Sequence, residues 1–161
     1  MRDAVKSSRK FEQELQTLRI LSKNDSYINS QISILEKPSK HGISDIHQLK
    51  QELASISEII FKKERENKQN KSLLDKTAIN LSSVVHIQKI SGDDGSKKPE
   101  DIIARSNSYI ETGKLDLAIK ELSYLTDADK ILLNDWVEKA RSNLASQEAA
   151  ENIFQHVIAY N

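Results

Sequence analysis

The chain has 161 residues and no cysteine; 30% of its residues are charged, 5% are aromatic, and glycine and proline together number six. That length holds one helical core with appendages rather than two large cores. The shortage of aromatic and turn residues disfavours sheets, and the absence of cysteine excludes disulfides and thiolate metal sites.

The expected fold class is therefore all-α. Formal net charge is zero, yet residues 1–98 carry 18 Lys/Arg against 13 Asp/Glu, and residues 99–161 carry 6 against 11. Such parts can meet an external anionic surface, fold against each other, or simply present solvated helix faces. No run approaches the roughly 20 apolar residues of a membrane span. The start MRDAVKSSRKFEQEL lacks the apolar centre of a signal peptide.

From the N-terminus, Ala4, Ser8, Phe11, Leu15, Leu18 and Ser22 alternate by four and three, which predicts one helix stripe, either a short coiled coil or a face packed on a neighbour. Ile28, Ile32 and Leu35 describe a second, short helix that Pro38 and Gly42 should break. Ser44 is placed as the N-cap of a long third helix, in which Ile46, Leu49, Leu53, Ile56 and Ile60 form the most regular seam in the chain, a candidate self-association surface. Beyond Phe61 the run KKERENKQNK has no apolar member and reads as an exposed helix end or a connector.

Ser72 and Asp75 are spaced as a capping pair, and Leu74, Ala78, Leu81 and Val85 form a stripe with Leu73 beside it. Lys71 and Lys76 flank it, so this amphipathic segment can lie on an anionic membrane surface or pack on the rest of the chain. Val84–Ile90 is β-branched without a partner strand, hence an extended linker, and SGDDGSKK marks a boundary. Three parts result: a helical segment at 1–61, a connector with amphipathic helix and linker at 62–98, and a C-terminal helical domain at 99–161.

Pro99 opens that domain at a favoured first helical position. Ile102, Ile103, Ser106, Tyr109 and Ile110 make an inner face, and Gly113 sits where a left-handed residue ends the helix. Leu115, Ala118, Ile119, Leu122 and Leu125 repeat the pattern, giving an antiparallel hairpin that resembles half of a tetratricopeptide unit, without a second copy. Thr126 and Asp129 cap a further helix with Leu133, Trp136, Val137, Ala140 and Leu144 inward. Ala150, Ile153, Phe154, Val157 and Ile158 continue it or fold back as another. The expected core is Ile103, Tyr109, Gly113, Ala118, Leu122, Trp136, Ala140 and Leu144.

No catalytic chemistry is visible. His41, His47, His86 and His156 are scattered, and none is three or four residues from another as helical metal ligands would be. Asp127, Asp129, Asp135 and Glu138 read as helix-start and solvated acids. There is no phosphate loop, nucleophile motif or calcium loop. The expectation is no enzyme, no cofactor and no metal. The run from Lys62 to Lys71 is interrupted by Glu64 and Glu66 and has no aromatic residue for base stacking, so no nucleic-acid partner is expected.

Taken together, FEQELQTLRIL, SSVVHIQKI, PEDIIARSNSYIETGKLDLAIKELSYL and LLNDWVEKARSNLASQEAAENIF resemble, in order and spacing, the C-terminal portion of alphaproteobacterial mitofilin-family proteins. The most specific elements are Ala104-Arg105, Gly113 with Leu115 and Ala118, and Trp136 with Ala140 and Arg141. The resemblance implies a non-enzymatic scaffold at the bacterial inner membrane, on its periplasmic side, that shapes membranes and forms contact sites by homo-oligomerisation and with envelope or outer-membrane partners. It places a lipid-binding helix at Ser72–Val85. It also implies an upstream span and coiled coil, which this chain lacks, so a C-terminal piece is the expectation. The other reading is a soluble helical adaptor whose hairpin binds a protein or peptide.

Overall fold

The computed structural model describes residues 2–75 and 97–160, with only the helical path given for 70–75. Among these residues the fold is all-α. The helices are α1 (Arg2–Lys6), α2 (Glu12–Leu21), α3 (Ser26–His41), α4 (Ile46–Asp75), α5 (Pro99–Glu111), α6 (Leu115–Leu122) and α7 (Asp127–Ala159).

Helix α7, 33 residues and about 50 Å long at 1.5 Å per residue, is the spine. Its first half contributes Leu133, Trp136 and Ala140 to one apolar core with α4, α5 and α6. Its second half contributes Ala149, Ala150 and Ile153 to another, completed by Ala4, Val5, Phe11, Leu15, Ile28, Ile32, Leu35 and Ile43. Between the two lies a polar waist. There the Asn143 side-chain amide donates to the Ser44 carbonyl at 2.8 Å, and Gln147 donates to Asn143 at 2.6 Å. Residues 1–61 therefore do not stand apart from 99–161, because α1, α2 and α3 pack on the end of α7 while α4 lies in the core beside α5 and α6.

Local chemistry sets most helix ends. At the close of α5, Gly113 has φ +73°, with its N–H bonded to the Ile110 carbonyl at 3.0 Å and that of Lys114 to the Tyr109 carbonyl at 2.9 Å. This is a Schellman ending. Thr126 caps α7, its hydroxyl accepting from the Asp129 N–H at 3.3 Å.

Four expectations need correction. The stripe from Ala4 to Ser22 is not one helix: Ser8 at φ +57° ends α1 with the same Schellman bonds, Ser8 N–H to Val5 and Arg9 N–H to Ala4, both 3.2 Å. A serine in glycine's usual place costs roughly 1–2 kcal/mol and so hides the turn in the sequence. Pro38 does not break α3, which runs on to His41. Proline gives up its own bond to the Ile34 carbonyl and crowds that carbonyl, a cost met once here, in the last turn of the helix. The following carbonyls are taken up, Pro38 by the Gly42 N–H at 2.8 Å and Ser39 by the Phe11 N–H at 3.0 Å.

The cap of α4 is Asp45 rather than Ser44: its carboxylate accepts from the Gln48 N–H at 2.7 Å while Gln48 accepts from the Asp45 N–H at 3.1 Å. That reciprocal pair is a capping box. Finally, α4 is continuous through Ser72 to Asp75, so Ser72 does not start a new helix.

Glycine matters at Gly42 in two ways. It has φ +82°, and a Cβ there would lie 2.8 Å from the Ser8 carbonyl oxygen, where the α1–α2 turn meets the end of α3. A Cβ on Gly113 would meet nothing within 4 Å. Gly113→Ala should therefore cost only the left-handed penalty, roughly 1–2 kcal/mol, and Gly42→Ala clearly more. Urea denaturation of the two variants checks this; equal losses would show that the backbone approach at Gly42 does not matter.

Some of the uneven charge is paired between the two parts of the fold. Arg2 pairs with Glu151 (3.1 Å), Lys63 with Asp129 (3.7 Å), Lys68 with Glu100 (4.0 Å), and Lys50 with Glu111. The basic part thus meets the acidic part, with Lys139 and Glu52 (2.7 Å) pairing in the opposite sense. Pairs this exposed are worth about 0–1 kcal/mol each. They help align the helices; the apolar cores hold them together.

Candidate functional site

The sequence-predicted residues fall into three places. Of the amphipathic set, Lys71, Leu73 and Leu74 are in the last turns of α4, while Lys76, Ala78, Leu81 and Val85 lie outside the described residues, as do Val84–Ile90 and the boundary at SGDDGS. Lys68 near the end of α4 reaches Glu100 at the start of α5.

The stripe Ile46, Leu49, Leu53, Ile56 and Ile60 is covered by the chain itself. Leu49, Leu53 and Ile60 are fully buried and Ile46 and Ile56 half-buried against α5 and α7. The C-terminal set lies in the same core: Ile103, Ala118, Leu122, Trp136 and Ala140 are buried, and Tyr109 and Leu144 pack at its edge. The Trp136 indole N–H donates to the Leu49 carbonyl at 2.7 Å, tying α7 to α4. Gly113 is at the hairpin turn, with no packing role.

Among the described residues, two groups of exposed apolar side chains lie outside these cores. Helices α4 and α7 are antiparallel, since Ser44 meets Asn143 and Lys63 meets Asp129. Exposed Ile59 consequently comes level with Leu132, and Ile131 and Tyr124 are nearby at the start of α7. The other surface is at the far end of α7, roughly 36 Å from Asp129 to Ile153 by helical rise.

At that far end a groove of about 390 Å³ runs between α2 and α7, lined by Leu18, Leu21, Ala150, Ile153, Phe154 and Val157, with Arg2, Glu14 and Thr17 on its margin. Exposed Ile20, Ile158 and Tyr160 adjoin it. The Arg2 guanidinium lies 4.2 Å above the Phe154 ring and one of its terminal nitrogens binds Glu151. Its Nε is buried with no hydrogen-bond acceptor. Glu14 is held below the usual carboxylate range by its own backbone N–H and then by Arg9, whose guanidinium is 2.9 Å away.

A clasp fixes the α7 wall of this groove. His156 stacks on Tyr27 and tilts against Tyr160, each at 4.6 Å between ring centroids, and its Nε2 lies 2.8 Å from the Asp25 carboxylate. Asp25 also caps α3 by accepting from the Ile28 N–H at 3.0 Å. That backbone bond first, and His156 after it, depress the Asp25 pKa. Sequence reasoning placed none of this, because α2 and the end of α7 are brought together only by folding. The four-and-three spacing of Phe11, Leu15 and Leu18 and the Ile153–Val157 run were the only signals available.

A second, polar recess of about 320 Å³ between α3 and α7 is lined by Lys37, His41, Asp135, Glu138 and Lys139. Its charges are of both signs. Among the described residues no group of histidines and carboxylates is arranged to hold a metal ion, and no helix is long and apolar enough to cross a membrane.

Comparison with known proteins agrees with the resemblance drawn above. The family profile "Mitofilin: Mitochondrial inner membrane protein" matches residues 1–157. The chain is similar to the MICOS complex subunit MIC60 of Uncinocarpus reesii, 27% identical over 94% of this chain and 24% of that protein. It is likewise similar to those of Aspergillus niger (28%, over 94% and 25%) and Fusarium vanettenii (29%, over 90% and 23%). It spans about a quarter of the length of these relatives. No solved structure matches. With a profile match over nearly its whole length, the chain belongs to the Mitofilin family.

Proposed function

We propose that this chain is part of a non-enzymatic scaffold that organises an inner membrane, contacting lipid through the stripe Leu74, Ala78, Leu81 and Val85 and docking to itself or to envelope protein partners through its helical body. The observation that carries the reading is the match of residues 1–157 to a family described as a mitochondrial inner membrane protein. The family description as an inner membrane protein and the MICOS-complex names of the relatives support it. Placement on the periplasmic side of a bacterial membrane rests on the resemblance alone. Self-association belongs to exposed surfaces, since the Ile46–Ile60 stripe is used by the chain's own core.

Liposome co-sedimentation tests the lipid contact. The protein should bind anionic vesicles, and Leu74→Asp with Leu81→Asp should weaken binding at least tenfold while helicity is retained. No binding, or binding unchanged in the folded double variant, overturns it. The apolar far end of α7, with Ile20, Leu21, Ile158 and Tyr160 exposed, favours a second reading: an adaptor for a protein partner. A partner captured without membranes, together with no lipid affinity, would select that reading.

A further inference from the structure

The molecule divides at the middle of α7. Among the described residues α1 and α3 lie on α7 and α2 lies on α3, whereas α4, α5 and α6 pack on one another and on α7. No helix of the first group packs on one of the second. The two apolar cores accordingly share no residue. One lobe is α1–α3 with residues 149–159 of α7, and the other is α4–α6 with residues 127–140. Two described stretches of chain cross between them, the helical residues 141–148 and the non-helical link 42–45.

What lies at the crossing is polar. Asn143 donates across it to the Ser44 carbonyl at 2.8 Å, and Gln147 donates to Asn143 at 2.6 Å. The Ser146 hydroxyl is fully buried there and has no hydrogen-bond partner. Buried hydroxyls are nearly always satisfied, and on a helix the nearest acceptor is the carbonyl four residues earlier, here that of Ser142; such back-bonding bends helices. Beside the crossing the lobes stand apart. The recess between them has Lys37 and His41 of α3 on one side and Asp135 and Glu138 of α7 on the other, so its closure is not opposed by a single sign of charge.

A large apolar interface fixes two bodies in one orientation, whereas a small polar one leaves them free to move. We propose that α7 is hinged at Asn143–Gln147, the two lobes being rigid bodies whose relative angle varies as the helix bends and the recess opens and closes. The link 42–45 follows the motion because it is outside any helix. The exposed apolar groups at the two ends of α7 ride on different lobes, Ile59 and Leu132 on one and Leu21 and Ile158 on the other. Partners held at these two ends are therefore carried at an adjustable angle, whichever reading of function holds.

The chain has no cysteine, so pairs of spin labels can be placed at will. Ser33→Cys with Ser55→Cys reports across the hinge, while Ser7→Cys with Asn24→Cys and Ser55→Cys with Ser123→Cys report within each lobe, all at exposed positions. Double electron–electron resonance on the full chain should give a cross-hinge distance distribution at least about twice as wide as either internal one. Asn143→Ala, which removes the bond to Ser44, should widen the cross-hinge distribution further and leave the internal ones unchanged. A wild-type cross-hinge distribution as narrow as the internal ones overturns the proposal. So does a folded Asn143→Ala variant in which all three distributions widen alike or none widens. Should that variant unfold, the wild-type comparison decides alone.

Discussion

Trp136→Ala should destabilise the protein by about 3–5 kcal/mol, read as a lower urea midpoint by far-UV circular dichroism. The side chain is fully buried among Leu49, Leu133, Ala140 and their neighbours, so truncation leaves a cavity with helices on every side. It also removes the only link from a side chain of α7 to the backbone carbonyl of Leu49 that the structure describes. Against the roughly 5–15 kcal/mol of a typical domain, that loss leaves a substantial unfolded fraction. Trp136→Phe separates the two effects. It keeps most of the apolar volume and gives up the hydrogen bond, for which a net contribution of about 0.5–1.5 kcal/mol is usual. If the alanine variant costs under 1 kcal/mol, Trp136 is not the anchor of this core.

Phe11→Ala is the corresponding experiment at the other core and should cost a similar amount, about 3–5 kcal/mol. Phe11 is fully buried beside Leu15, Leu35 and Ile153, and its N–H joins α2 to the end of α3 through Ser39. The two cores share α7 and are separated by the Asn143–Gln147 waist, so the damage should be uneven. Hydrogen exchange should quicken first in α1, α2, α3 and residues 149–158, while α5 and α6 remain slow. Uniform acceleration across all seven helices would show instead that the waist transmits packing as fully as an apolar core does.

The waist is where reading a stripe from the sequence fails for an identifiable reason. Along α7 the inward positions run Leu133, Trp136, Ala140, Asn143, Ser146, Ala150 and Ile153. The pattern stays on one face, yet its middle members are polar, so an apolar-periodicity reading shifts to Leu144 and leaves the helix open to being cut in two. Asn143 is buried because the turn at Ser44 needs a donor there. That requirement comes from α3 and α4, about a hundred positions away, and cannot be read locally.

Helix ends divide along similar lines. Pro99, Gly113 and the Thr126–Asp129 pair each act through atoms within a few residues, and their roles follow from spacing alone. Ser8, Pro38 and Asp45 did not follow. Ser8 adopts a conformation serine ordinarily avoids, and Pro38 falls in the last turn of α3, where the single bond it gives up, to the Ile34 carbonyl, does not end the helix. Asp45 competes with an adjacent serine of similar capping preference, and the reciprocal bond from Gln48 decides between them.

By itself the sequence determined that this chain is helical, where the C-terminal hairpin turns, that Trp136 faces inward, and through the order of its motifs that it belongs with the mitofilins. Those features depend on local geometry and on residue order, both present in the linear chain. Only the tertiary structure decided that α7 is one continuous spine serving two cores, that the Ile46–Ile60 seam is consumed inside the molecule, and that the opposed charges of the two parts pair with each other. It alone brings Arg2, Leu18 and Val157 to one groove. Amphipathic periodicity states that a face must be covered; which element covers it, and which apolar face is left uncovered, depends on how all the helices compete for the same partners.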